Sequence, residues 1–186
     1  MAHDKLQNFW TQTAASVADP KRGFRFKVSL GSLHMLWYAK KADRPTMSLT
    51  ESKHEYLNHT FYWPGRVEWN EVSITLVDPT VPDVADSLLS FIKASGYKVI
   101  GDPNGALTSI SKGQAAGALG GDIQIEMIDE LGVTKEQWVL RNAWIKEVDF
   151  SELSYDSDDL SEITVKVRYD WAEFTGASGT KFSKNS

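Results

Sequence analysis

The chain has 186 residues, a formal net charge of −5 and no cysteine. That length suits one domain with a real core. The lack of cysteine excludes disulfides, thiolate zinc sites and thiol nucleophiles, and fits assembly in a reducing cytoplasm. The acidic balance excludes tight wrapping of nucleic acid, which needs a basic face, but not DNA sliding past an acidic wall. No run approaches about eighteen apolar residues and Met1-Ala2-His3-Asp4 does not open a signal peptide, so no membrane span or membrane targeting is expected.

Residues 1–23 carry Leu6, Phe9 and Trp10 at helix-like spacing before the breaker Asp19-Pro20. They read as an N-terminal arm, folded on its own domain or clasping a neighbour. Phe24, Phe26, Val28 and Leu30 then alternate with Arg25, Lys27 and Ser29, the pattern of a half-buried strand. Gly31-Ser32 turns the chain into a second strand over 33–39, and 40–46, with Pro45, reads as a loop. Over 47–57, Met47, Leu49, Glu51, Lys53, Glu55 and Leu57 oppose Ser48, Thr50, Ser52, His54 and Tyr56. Neither face is apolar, so this strand is exposed or faces a water-filled channel.

Residues 58–66 place Phe61, Tyr62 and Trp63 before Pro64-Gly65, as a loop tucked onto the core or as a contact patch. Alternation over 67–77 predicts one long strand ending at Asp78-Pro79. The single convincing helix follows. Thr80 or Val81 caps it, Pro82 sits in its first turn, Asp83 and Asp86 favour its positive end, and Gly96 ends it. Val84, Leu88, Phe91 and Ile92 form its buried stripe. Residues 101–121 are a loop rich in Gly, Ala and Ser with room for a helical turn near 114–118. The next strand turns Ile123, Ile125 and Met127 inward and Asp122, Gln124 and Glu126 outward.

Residues 138–174 read as two long strands joined by the acidic turn Ser154-Tyr155-Asp156-Ser157-Asp158-Asp159. The first is largely apolar on both faces and so belongs in a central or doubly covered position. In the second, Ile163, Val165, Val167, Tyr169 and Trp171 alternate strictly with Glu162, Thr164, Lys166, Arg168 and Asp170. Residues 175–186 form a polar C-terminal tail. The whole is a mainly β, α+β chain: an antiparallel sandwich or barrel over residues 24–174 with one packed helix.

No catalytic constellation is present, so no enzyme, metal or cofactor is expected. His54 and His59 lack a partner motif, and Asp156, Asp158 and Asp159 lack the glycine and closing glutamate of a calcium loop. Gly113-Gln114-Ala115-Ala116-Gly117 is no phosphate loop, and no nucleophile elbow exists. Tryptophans could stack on sugar in a carbohydrate-binding sandwich, but Trp37, Trp69, Trp138, Trp144 and Trp171 fall in strand patterns, where packing is the default.

Several of these segments together carry a resemblance. Asn142-Ala143-Trp144-Ile145, Tyr155-Asp156-Ser157-Asp158 and Arg168-Tyr169-Asp170-Trp171-Ala172, with 62–70 (YWPGRVEWN) upstream, resemble tail tube proteins of contractile-tailed, T4-like bacteriophages. The resemblance implies a structural virion subunit, assembled in the host cytoplasm, that forms hexameric rings stacked into a tube. Its partners would be further copies of itself, sheath and baseplate proteins, and DNA passing through the lumen without specific binding. Strands of each subunit would complete an inter-subunit barrel. A baseplate tube initiator, or the tube of a related contractile injection system, shares that fold. On this reading Asp122, Gln124 and Glu126, with Glu51, Lys53 and Glu55, point into the channel; otherwise the acidic face is a solvated outer surface. Phe61, Tyr62 and Trp63, outside the clean strand patterns, are expected at a subunit boundary.

Overall fold

The computed structural model describes residues 20–31, 33–35, 38–98, 109–156 and 158–183. The helix-like Leu6, Phe9 and Trp10, and Trp37, lie outside them. Alternating apolar residues build two antiparallel sheets that face each other. One contains β1 (Phe26–Leu30), β2 (Leu33–Met35), β7 (Ile123–Ile128), β8 (Thr134–Arg141), β11 (Trp171–Gly176) and β12 (Lys181–Phe182), in the order β12-β11-β8-β7-β1-β2. The other contains β3 (Ala39–Ala42), β6 (Val72–Val77), β9 (Trp144–Asp149) and β10 (Glu162–Arg168), in the order β3-β6-β10-β9. Val28, Leu30, Ile123, Ile125 and Leu140 from the first sheet bury against Val72, Ile74, Leu76, Ile163, Val165 and Val167 from the second. This is the expected antiparallel sandwich.

Long sequence patterns break where the chain passes between sheets. The run predicted as one strand through Trp138 and Val148 is β8 and β9, separated at Asn142, whose φ is +54°. The predicted 162–171 strand is β10 and β11, separated at Tyr169-Asp170. Each passes from one sheet to the other, so the block over 138–174 supplies four strands rather than two. β9 is an edge strand rather than a central one, with helical residues Phe91, Ile92, Ala115 and nearby Leu119 lining a cavity beside it. The predicted 33–39 strand divides in the same way into β2 and β3, and β3 extends into the expected loop. Phe24 lies outside β1 and is exposed.

Helix α1 (Val84–Ala94) starts later than the sequence suggests. Asp83 is its N-cap, and Asp83 Oδ1 accepts the Asp86 N–H at 2.9 Å. Pro82 therefore precedes the cap. Val84 and Leu88 are buried, while Phe91 and Ile92 are half-buried beside β9. A second helix, α2 (Lys112–Ala118), forms where only a turn was expected, with Ser111 Oγ accepting the Gln114 N–H at 3.2 Å. Its end lies so close to the β1–β2 turn that a Cβ on Gly31 would sit 1.9 Å from the Leu119 carbonyl oxygen. Beyond Thr175 the polar segment completes β11 and returns as β12.

Candidate assembly surfaces

The largest departure from a closed sandwich is a hairpin of β4 (Met47–Tyr56) and β5 (His59–Trp69). These strands pair with each other and with neither sheet. The segment read as an aromatic loop is thus a strand, because it pairs with β4 from His59 to Pro64. The predicted 67–77 strand in turn breaks at Asn70-Glu71, where the hairpin joins the sandwich. A β-bulge sets Thr50 against Gly65 and Arg66: the Arg66 N–H donates to Thr50 Oγ1 at 2.8 Å.

The register sorts the predicted contact residues onto two faces. Tyr62 lies opposite Lys53 and shares a face with Glu51 and Glu55, and Lys53 Nζ donates to Glu55 Oε1 at 2.8 Å. Phe61 lies opposite His54 and Trp63 opposite Ser52, on the other face with Tyr56. Phe61, Tyr62 and Trp63 are 51%, 63% and 62% exposed, so the rings do not pack into their own core. Every residue of β4 is exposed, as are all of β5 except Trp69 at its root. An eleven-residue strand extends about 35 Å, and a lone hairpin is marginal in water without packing on at least one face.

The second predicted surface is the polar face of the six-stranded sheet. Asp122, Gln124 and Glu126 do share it, each half-buried, while Ile123 and Ile125 turn to the core. The face is hydrogen-bonded and carries the Arg141 cation between two of its carboxylates, so it is less acidic than alternation along one strand suggests. Arg141 pairs with Asp122 and reaches Glu173 Oε2 at 2.7 Å. Gln137 Nε2 donates to Gln124 Oε1 at 3.1 Å and to Glu126 Oε1 at 3.0 Å, and Thr134 Oγ1 donates to Glu126 Oε2 at 2.8 Å. The hydrogen bond with Glu173 raises the Arg141 guanidinium above its ordinary range. Neighbouring strands, invisible to single-strand periodicity, supply these partners. The six residues expected to line a channel therefore fall on two separate structures, the sheet face and one face of the hairpin.

A groove of about 720 Å³ lies at the hairpin root, lined by Trp69, Lys112, Trp144, Arg168, Tyr169 and Asp170, among others. Trp69 and Tyr169 contact at 6.0 Å between ring centroids. The Tyr169 hydroxyl is buried without a hydrogen-bond partner, and desolvation pushes it up to about 12. Among the described residues no group of three or more His, Asp or Glu side chains could hold a metal ion, and no helix is long and apolar enough to cross a membrane.

No protein-family model and no curated protein matches the sequence. Solved structures match the fold. A chain of the anti-feeding prophage cap, the AFP tube terminating cap, aligns with a TM-score of 0.66 at 15% identity, over 90% of this chain and 99% of that one. A chain of the PVC sheath–tube complex, from an extracellular contractile injection system in its extended state, gives 0.64 at 14% identity, over 89% and 99%. A chain of the native gene transfer agent virion gives 0.51 at 9%, over 84% and 100%. The chain has the fold of subunits in contractile-injection tube and cap assemblies. The neighbours do not single out the T4-like phages that the sequence motifs resemble. They span extracellular injection systems and a gene transfer agent.

Two acidic positions that join distant parts of the chain are not apparent from sequence. Glu136, on the core side of β8, is 5% exposed, and its only sequence signal is a charge in phase with Trp138 and Leu140. Asp170, at the β10–β11 crossing, reads in sequence as one more polar residue in an alternating strand.

Proposed function

We propose that this chain is a structural subunit of a tube in a contractile injection apparatus, stacking as hexameric rings around a central channel. The observation that carries this reading is the hairpin over 47–69: twenty-odd exposed residues, aromatic on both faces, attached to a sandwich that shares the fold of tube and cap assemblies. Such a hairpin gains its missing packing from a neighbouring subunit, with Phe61, Tyr62 and Trp63 in that contact. A contact between two different surfaces of like subunits generates rings or filaments. Sheath and baseplate proteins are the further partners.

The polar face of the six-stranded sheet, with Asp122, Gln124 and Glu126, lines the channel, joined by Glu51, Lys53 and Glu55 of the hairpin. DNA is the cargo on this reading. What supports it is that the Arg141 cation on this face is taken up by Asp122 and Glu173, which leaves it a poor partner for phosphate. A terminating cap is the second reading, since a chain of the AFP tube terminating cap shares this fold. Electron microscopy with native mass spectrometry of the purified chain separates these outcomes. Tubes of stacked hexamers support the first reading, and single rings that do not stack support the second. A dispersed monomer at high concentration defeats both.

A further inference from the structure

Glu136 places a carboxylate on the core face of β8, opposite Met127 on β7 and Gly176 on β11. The two carboxylate oxygens serve different parts of the chain. Lys21 Nζ, from the segment before β1, reaches Oε2 at 2.5 Å. Arg44 Nη1, from the link between β3 and the hairpin, lies 3.5 Å from Oε1, and Trp138 Nε1 donates to Oε1 at 2.9 Å. Burial pushes this carboxyl up, but the bonds from Lys21 and Trp138 and the charges of Lys21 and Arg44 outweigh it, leaving the group below the ordinary Glu range.

We propose that Glu136 is a positioning residue, a charge latch that couples the N-terminal segment to the root of the hairpin. The other ties at that root run elsewhere. Asn70 bonds Thr46 through both backbone and side chain, and the Asp43 N–H donates to the Ser73 carbonyl on β6. Arg44 instead links the root to the six-stranded sheet, through Glu136 and through Met127 Sδ at 3.9 Å. Because the cations take different oxygens, they do not compete. Each holds the carboxylate in the orientation the other needs. Removing either cation leaves a buried anion under-compensated, and it must turn toward water, away from its remaining partner. The loss therefore spreads to the other segment. The consequence for tube formation rests on the hairpin contacting a neighbour. The coupling itself does not.

Amide hydrogen exchange on the unassembled chain tests the latch, comparing wild type with Lys21→Met, Arg44→Met and Glu136→Gln. Lys21→Met should speed exchange severalfold at 43–46 as well as around 21–25, and Arg44→Met should do the reverse, while β6 and β10 keep their protection. Exchange that rises only beside each substituted cation overturns the proposal. So does an unchanged profile at 43–46 in Lys21→Met. Glu136→Gln should loosen both segments together. If that variant fails to fold, the two exposed cation variants still decide the matter. A latch confirmed in a chain that forms no tubes would fault the assembly reading alone.

Discussion

Asn142 Nδ2 donates to Asp170 Oδ2 at 2.9 Å, joining the two points at which strands cross from one sheet to the other. The Asp170 N–H also donates to the Arg141 carbonyl at 3.1 Å, and Lys112 Nζ on α2 reaches both Asp170 oxygens at 2.6 and 2.7 Å. One carboxylate thus binds both crossings and the start of a helix.

The hydrogen bonds from Lys112 and Asn142 hold the Asp170 carboxyl below its ordinary value of 3.8. A carboxylate depressed by folding adds stability that is complete above its unfolded value and disappears as pH falls through its folded value. The Asp170 contribution should therefore be intact at neutral pH and fade below about pH 4. Urea unfolding of wild type and Asp170→Asn at neutral and acid pH checks this. The two curves should converge as the solution is acidified, and a gap that stays constant would remove the assignment.

Leu88 is fully buried on α1, whereas Phe91 is half-buried beside β9. Leu88→Ala should cost about 2–5 kcal/mol. Phe91→Ala should fall short of the roughly 3–5 kcal/mol typical of a phenylalanine in a full core. Chemical denaturation of both variants gives the ranking, and a larger loss at Phe91 would contradict the packing described.

Two glycines near or in α2 should respond with opposite signs. Gly31 has φ +51°, and an added Cβ would meet the Leu119 carbonyl, so Gly31→Ala should destabilise by more than about 1 kcal/mol. Gly113 lies in α2 with nothing within 4 Å of the added Cβ. Gly113→Ala should therefore stabilise by about 0.5–1 kcal/mol, through the lower entropy of the unfolded chain and better helix propensity. Thermal unfolding distinguishes the two.

Phe61 and Trp63 share one hairpin face and are exposed. The double variant Phe61→Ala, Trp63→Ala should leave the melting temperature of the isolated chain nearly unchanged while abolishing rings or tubes in micrographs. A drop in monomer stability with assembly intact would show that the rings serve only their own hairpin.

Because the chain has no cysteine, Gln124→Cys offers a single reporter of the polar sheet face. In assembled tubes a small maleimide should label it and a long polyethylene-glycol maleimide should not, whereas the dissociated subunit should take both. Rapid labelling of intact tubes by the bulky reagent would put this face outside.

Period-two alternation made β1, β6, β7 and β10 legible in sequence, because burying one face of a strand imposes a local rule on every second residue. The same rule marked β4 as unusual, since Glu51, Lys53 and Glu55 deny it an apolar face. It could not locate the crossings at Asn142 and Asp170. Alternation there runs on through a change of sheet, and only pairing with distant strands shows which layer each half joins. Nor could it foresee that 58–66 forms a strand, because partnership with β4 through a bulge overrides the turn signal of Pro64-Gly65. Charge followed the same division. Local sequence placed Asp122, Gln124 and Glu126 on one face and left Glu136 looking like any other acid. Tertiary structure brought Arg141 to the first group, and Lys21 and Arg44 to the second. Electrostatic partners more than a hundred residues apart, such as Lys21 and Glu136, meet only when the sheets have folded.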